Sequence, residues 1–175
     1  MRRWRIIGTG ALLLGASAAG AQTTARPCLT GPEAEAVFLA VAPPALKVAG
    51  LTCAASLPPG ALLRQPSGAF VAKLEAASDA AWPAARGAIG KLAGPAVAPL
   101  LDSELARPAL AGIIAPLIVA DLKPADCPKL DRLLTLLSPL PARSIAALGV
   151  TILQYAQDDA RRGKQPKLPL CPTTP

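Results

Sequence analysis

Proline sets the limits on what this chain can build. Its 175 residues include 20 prolines, and after Pro27 the longest stretch without one is 142–165. Each proline removes a backbone donor and disfavours helical geometry in the residue before it, so long helices and central strands are both penalised. Alanine and leucine fill the intervals, whereas alternating runs of β-branched and aromatic residues do not occur. Alanine favours helix, and a sheet needs the missing pattern. The sequence therefore predicts an all-α fold, an irregular bundle of about six to seven short, proline-punctuated helices.

The helix boundaries can be read segment by segment. Thr30-Gly31-Pro32-Glu33 has the spacing of a capping box, with proline in the first turn where its missing N–H costs nothing. That helix carries Val37, Phe38 and Val41 and is expected to end or bend sharply at Pro43-Pro44; a second begins near Ala45 and leads to Cys53. Ser67 is placed to cap a helix to about Ala81, with Phe70, Leu74 and Ala77 on one face, broken or restarted at Trp82-Pro83. Ala84–Ala93 continues as helix, with Ile89 and Leu92 inward. Asp102-Ser103 is a plausible cap for Glu104–Leu122. That segment is apolar around much of its girth through Leu110, Ile113, Ile114, Leu117 and Ile118, and is expected to be the central, most buried element. Asp126 is placed to cap a helix with Leu130, Leu133, Leu134 and Leu137 inward and Lys129, Asp131 and Arg132 outward. After the turn Ser138–Pro141, a last helix to Ala160 packs Ile145, Leu148, Ile152, Leu153 and Ala156.

The N-terminus predicts export. Arg2, Arg3 and Arg5 precede an apolar run from Ile6 to Ala19, and Ala19-Gly20-Ala21 is a signal-peptidase pattern. Residues 1–21 are thus expected to be a cleaved signal peptide, 22–160 one helical domain, and 161–175 a basic, proline-rich tail tethered by Cys171. After cleavage 154 residues remain, with 15 basic and 11 acidic side chains, a net charge of +4. The basic excess is densest at Arg161, Arg162, Lys164 and Lys167, and it reads as a solvated tail. Outside residues 1–21 the four aromatic residues, Phe38, Phe70, Trp82 and Tyr155, are too few for a nucleic-acid stacking platform. No segment after the signal is expected to span a membrane, because the most apolar one is too short and is flanked by Arg107 and Asp121.

Cys28, Cys53, Cys127 and Cys171 are the only cysteines. An even number in an exported chain points to two disulfides, and the absence of histidine and of C-x-x-C spacing argues against zinc. A hairpin at Pro43-Pro44 would return Cys53 toward Cys28, and the turn at Ser138–Pro141 would return the chain toward Cys127. This favours Cys28–Cys53 with Cys127–Cys171. If the proline pair only kinks one long helix, the pairing becomes Cys28–Cys171 with Cys53–Cys127.

The chemistry is defined by what the chain lacks. Without histidine there is neither Ser-His-Asp nor Cys-His catalysis, and no serine has a lysine three residues on. Asp126 and Asp131 near Cys127, and the pair Asp158-Asp159, are the remaining acid–base candidates. Their positions suit a helix cap, an outward face and a solvated helix end. Trp82 and Tyr155 read as core or boundary aromatics. No metal site, cofactor site or catalytic residue is predicted.

Cys28-Leu29-Thr30 opening a helix, Ala81-Trp82-Pro83, Pro124-Ala125-Asp126-Cys127 and Ser138-Pro139-Leu140-Pro141 together resemble small exported helical proteins of alphaproteobacteria. The resemblance implies a periplasmic setting and carries no activity with it. Three functions follow as expectations. The first is a non-catalytic envelope protein with a structural or protein-binding role. The second is a carrier of a small apolar ligand or lipid, lined by Ile113, Ile114, Leu117, Leu133 and Leu137. The third, least supported, is an enzyme using carboxylates alone.

Overall fold

A computed structural model describes residues 27–160 and 169–171, so the expected signal peptide and the basic residues of the tail lie outside the described residues. Six α-helices follow in order: α1 (Gly31–Thr52), α2 (Ala69–Ala93), α3 (Ala98–Leu101), α4 (Ala106–Val119), α5 (Cys127–Leu137) and α6 (Ala142–Ala160). Three 3-10 turns, Leu62–Arg64, Pro95–Val97 and Pro124–Asp126, fill the connections. Among the described residues the only extended pairing is a parallel bridge between Leu29 and Leu170. The all-α class and the two disulfides are as expected.

Three of the interior prolines act differently from the expectation. Pro43 and Pro44 lie inside α1 and Pro83 inside α2, and each helix continues through them; Pro116 lies inside α4, in the segment expected to be helical around it. An interior proline costs about 3 kcal/mol. In α1 the loss is offset by packing, since α2, α4 and α6 all lie against it. Five of its seven buried residues, Ala34, Ala36, Ala40, Ala49 and Gly50, are alanine or glycine, and small residues let several helices approach one axis. The centre of the bundle is therefore α1, not the segment 104–122.

The same continuity decides the disulfides. A 22-residue helix is about 33 Å long, so α1 carries Cys53 away from Cys28 instead of back to it. The bonds are Cys53–Cys127 (Cα–Cα 5.6 Å) and Cys28–Cys171 (4.9 Å). The favoured pairing of Cys28 with Cys53 and Cys127 with Cys171 is thus replaced by the other one. Cys53 and Cys127 are fully buried beside Leu39, Leu57, Leu63, Phe70, Leu74 and Ile145, where they fasten the end of α1 to the start of α5. Cys28–Cys171 closes the opposite end. There the Leu29 N–H donates to the Pro169 carbonyl (2.7 Å), the Cys171 N–H donates to the Leu29 carbonyl (2.8 Å), and Leu29 and Leu170 pack on Ala34, Ala88 and Val150.

Local readings fare unevenly. Glu33 accepts hydrogen bonds from the Thr30 N–H (2.8 Å) and hydroxyl (2.9 Å) at the predicted helix start. Gly68, not Ser67, is the N-cap of α2. Asp102 pairs with Arg86 (2.8 Å) instead of capping a helix, and α4 starts only at Ala106. Asp126 precedes α5 without a side-chain cap bond. Asp131 does not face outward; its carboxylate accepts the Leu63 N–H at 2.9 Å and ties the Leu62–Arg64 turn to α5. Among the described side chains of α6 the buried ones are Ala142, Ile145, Ala146, Val150 and Gln157, and Leu148, Ile152, Leu153 and Ala156 are on the surface.

Candidate functional site

Every side chain from Pro108 to Ala120 is apolar, and this run makes up most of α4. A helix that is apolar all round has no hydropathic signal for which side faces in. The choice falls to size. Ala106 and Ala115 are the buried residues of α4, and the helix lies against α1. Small side chains let the two backbones come close, which leaves the large aliphatics on the far side. Leu105 is 74% exposed, Ile113 64%, Leu117 70% and Ile118 54%.

One charged residue fixes the inner side. The Arg107 guanidinium donates to the Ser78 hydroxyl at 2.7 Å, pairs with Asp79, and sits 5.8 Å from the centre of the Trp82 ring. Ser78 is 1% exposed, and this bond satisfies a hydroxyl buried in the middle of α2. Arg107 thereby sets the rotation of α4 about its axis, and Leu105, Ala109, Ile113 and Leu117, spaced four apart, share the outer face. Gly112 is also exposed there, with open space where a Cβ would stand. The result is an uncharged strip about 18 Å long by helix geometry. Contiguous apolar surface of this kind on a small protein marks a place of interaction.

Other outer faces are less continuous. On α6, Leu148, Ile152 and Tyr155 form an exposed stripe, but Arg143, Ser144 and Thr151 are exposed on the same helix. Tyr155, expected in the core or at its boundary, is 76% exposed. On α5, Leu133 and Leu136 are exposed beside Lys129 and Arg132.

In two concavities among the described residues the charged groups are engaged within the fold. A groove of about 520 Å³ runs between the Gly60–Phe70 segment and α5, with Phe70, Lys73, Asp131 and Thr135 in its wall. The Lys73 ammonium donates to the carbonyls of Ser138 (2.6 Å) and Leu140 (2.5 Å), closing the end of α5, and Asp131 is held by the Leu63 N–H. A second cleft of about 270 Å³ lies under α4 at the proline pair of α1; its Lys47 and Glu75 pair at 2.6 Å. Neither is lined by Ile113, Ile114, Leu117, Leu133 or Leu137. Ile113, Leu117 and Leu133 are exposed, Ile114 is half-buried, and Leu137 packs on the main core.

Of the acidic candidates, Asp126 and Asp131 take structural partners, Asp126 with Lys129 at 4.0 Å. The side chains of Asp158 and Asp159 lie outside the described residues. Among the described residues no three histidine, cysteine, aspartate or glutamate side chains gather as a metal site. No protein-family model, curated protein or solved structure matches the chain.

Proposed function

We propose that this chain is a non-catalytic protein of the bacterial envelope, matured in the periplasm, that binds another polypeptide through the outer face of α4. The carrying observation is the exposure of Leu105, Ile113 and Leu117 on a strip without a polar side chain between Arg107 and Asp121. Full burial of each such side chain is worth about 1.5–3 kcal/mol, so a partner that covers the strip gains a driving force without any rearrangement of this chain. Polypeptide fits the strip better than a small ligand, because the face is convex and long while small-molecule sites are concave. The periplasmic setting is supported by two disulfides and by the export pattern at residues 1–21. The non-catalytic reading is supported by the engagement of Asp131 with the Leu63 N–H and of Asp126 with Lys129.

The test is site-specific photocrosslinking in a bacterial periplasm, with a photoreactive residue at Ile113 or Leu117 and a control at Arg132 on α5. The expected result is one reproducible protein adduct from positions 113 and 117 that is absent from 132 and lost when Ala109→Glu is added. No adduct, or equal adducts from all three positions, would contradict the reading.

A further inference from the structure

We infer that this chain is a substrate of a thiol–disulfide isomerase, which it needs to exchange an early, non-native pair of disulfides for the native one. The inference is independent of the reading of α4 and rests on the disulfide pairing and on the continuity of α1.

The first argument is separation along the chain. Cys28–Cys171 closes 143 residues and Cys53–Cys127 closes 74. Cys28 and Cys53 are only 25 residues apart. In an unfolded chain the chance of contact falls with about the 3/2 power of separation. Cys28–Cys53 therefore closes about fivefold more readily than Cys53–Cys127 and about fourteenfold more readily than Cys28–Cys171. Synthesis from the N-terminus favours the same pair, because Cys28 and Cys53 both emerge before Cys127. Cys127 and Cys171, 44 residues apart, are then left for each other.

The second argument is that this early pair and α1 exclude one another. Cys53 follows α1 directly, and only Leu29 and Thr30 separate Cys28 from its first residue. The helix sets its two ends about 33 Å apart, whereas a disulfide needs Cα atoms within about 7 Å. A chain with Cys28 bonded to Cys53 lacks the element against which α2, α4 and α6 pack. Nor can it correct itself. Once Cys127 and Cys171 have also paired, all four cysteines are consumed and no thiolate remains to attack a disulfide.

One thiolate from outside is enough. It attacks Cys53 Sγ, forms a mixed disulfide and releases the Cys28 thiolate. Cys28 attacks Cys171 Sγ, which makes Cys28–Cys171 and releases the Cys127 thiolate. Cys127 then attacks Cys53 Sγ, which makes Cys53–Cys127 and returns the external thiolate. The number of disulfides is unchanged, so no oxidant or reductant is consumed. Folding makes the exchange one-way, because Cys53 and Cys127 are 0% exposed in the native core and no longer open to attack.

Oxidative refolding of the reduced, denatured chain tests this, with the bonds read by acid-quenched alkylation and peptide mass mapping. In strong denaturant, chains with one disulfide should carry Cys28–Cys53 about five times as often as Cys53–Cys127. Dilution into a thiol-free oxidant should give mainly Cys28–Cys53 with Cys127–Cys171, in a form less helical than the native protein by circular dichroism. A substoichiometric amount of a reduced disulfide isomerase should then convert it to the native pairing and restore the helix signal. Native pairing in equal yield without the isomerase overturns the proposal. So does Cys53–Cys127 as the leading first bond, or a mispaired product that the isomerase leaves unchanged.

Discussion

Glu33 shows how much one side chain can organise. Three donors converge on its carboxylate: the Lys91 ammonium at 2.6 Å, the Thr30 N–H at 2.8 Å and the Thr30 hydroxyl at 2.9 Å. Lys91 chiefly, then Thr30, hold its pKa at about 2, down from 4.5. The ionised form is thus favoured more in the folded chain than in the unfolded one. This contribution is present above about pH 4.5 and is lost as pH falls through 2. Thermal melts followed by circular dichroism should show a loss of stability across this window. Glu33→Gln should melt lower at neutral pH and fall less between pH 4.5 and 2. The Thr30–Glu33 half of the arrangement was legible as a capping-box spacing. Lys91, 58 residues away, was not, because nothing local in the sequence brings α2 to the start of α1.

At the scale of elements, the sequence announces helices well and their interruptions poorly. The starts at Gly31, Cys127 and Ala142 sit within a residue or two of where caps and prolines put them. Pro43-Pro44 and Pro83 read locally as ends, bends or restarts and are interior, because the packing of α1 and α2 on each other outweighs the local cost. Gly50 was another unread signal. It lies in α1 where the Leu62–Arg64 turn crosses, and an added Cβ would stand 2.2 Å from the Leu63 carbonyl oxygen. Asp131 and Gly50 hold that turn from two sides, one by a hydrogen bond to its backbone and one by leaving room for it. Gly50→Ala, a change that normally favours helix, should therefore destabilise the protein, by about 1–3 kcal/mol in chemical denaturation. A neutral or stabilising result would mean that the turn does not sit on α1.

For the whole molecule, the decisive feature is which helix lies at the centre. Hydropathy pointed to α4, the most apolar segment, and residue size selected α1, whose alanines and Gly50 admit three neighbours. Once α1 is one continuous element, Cys53 is carried to the end where Cys127 waits, and Cys28 is left for Cys171. Once α1 is central, α4 becomes an outer helix with its alanines inward and its leucines and isoleucines in solvent. Amphipathic α5 could be oriented from sequence in most of its positions, with Leu134 buried and Leu130 and Leu137 against the core. α4 has no polar face to betray its rotation, and that information lies in the contact of Arg107 with Ser78 and Trp82. The binding role proposed for the chain depends on this inversion. The most direct measurement of it is the thermal unfolding of the double variant Ile113→Glu, Leu117→Glu beside the unaltered protein under oxidising conditions. If the α4 face is solvent-exposed, two charges there shift the melting temperature by less than about 2 °C while partner capture disappears. If α4 were the buried centre of the bundle, two unpaired charges in the core would lower it by more than about 10 °C or prevent folding, and the account would be wrong.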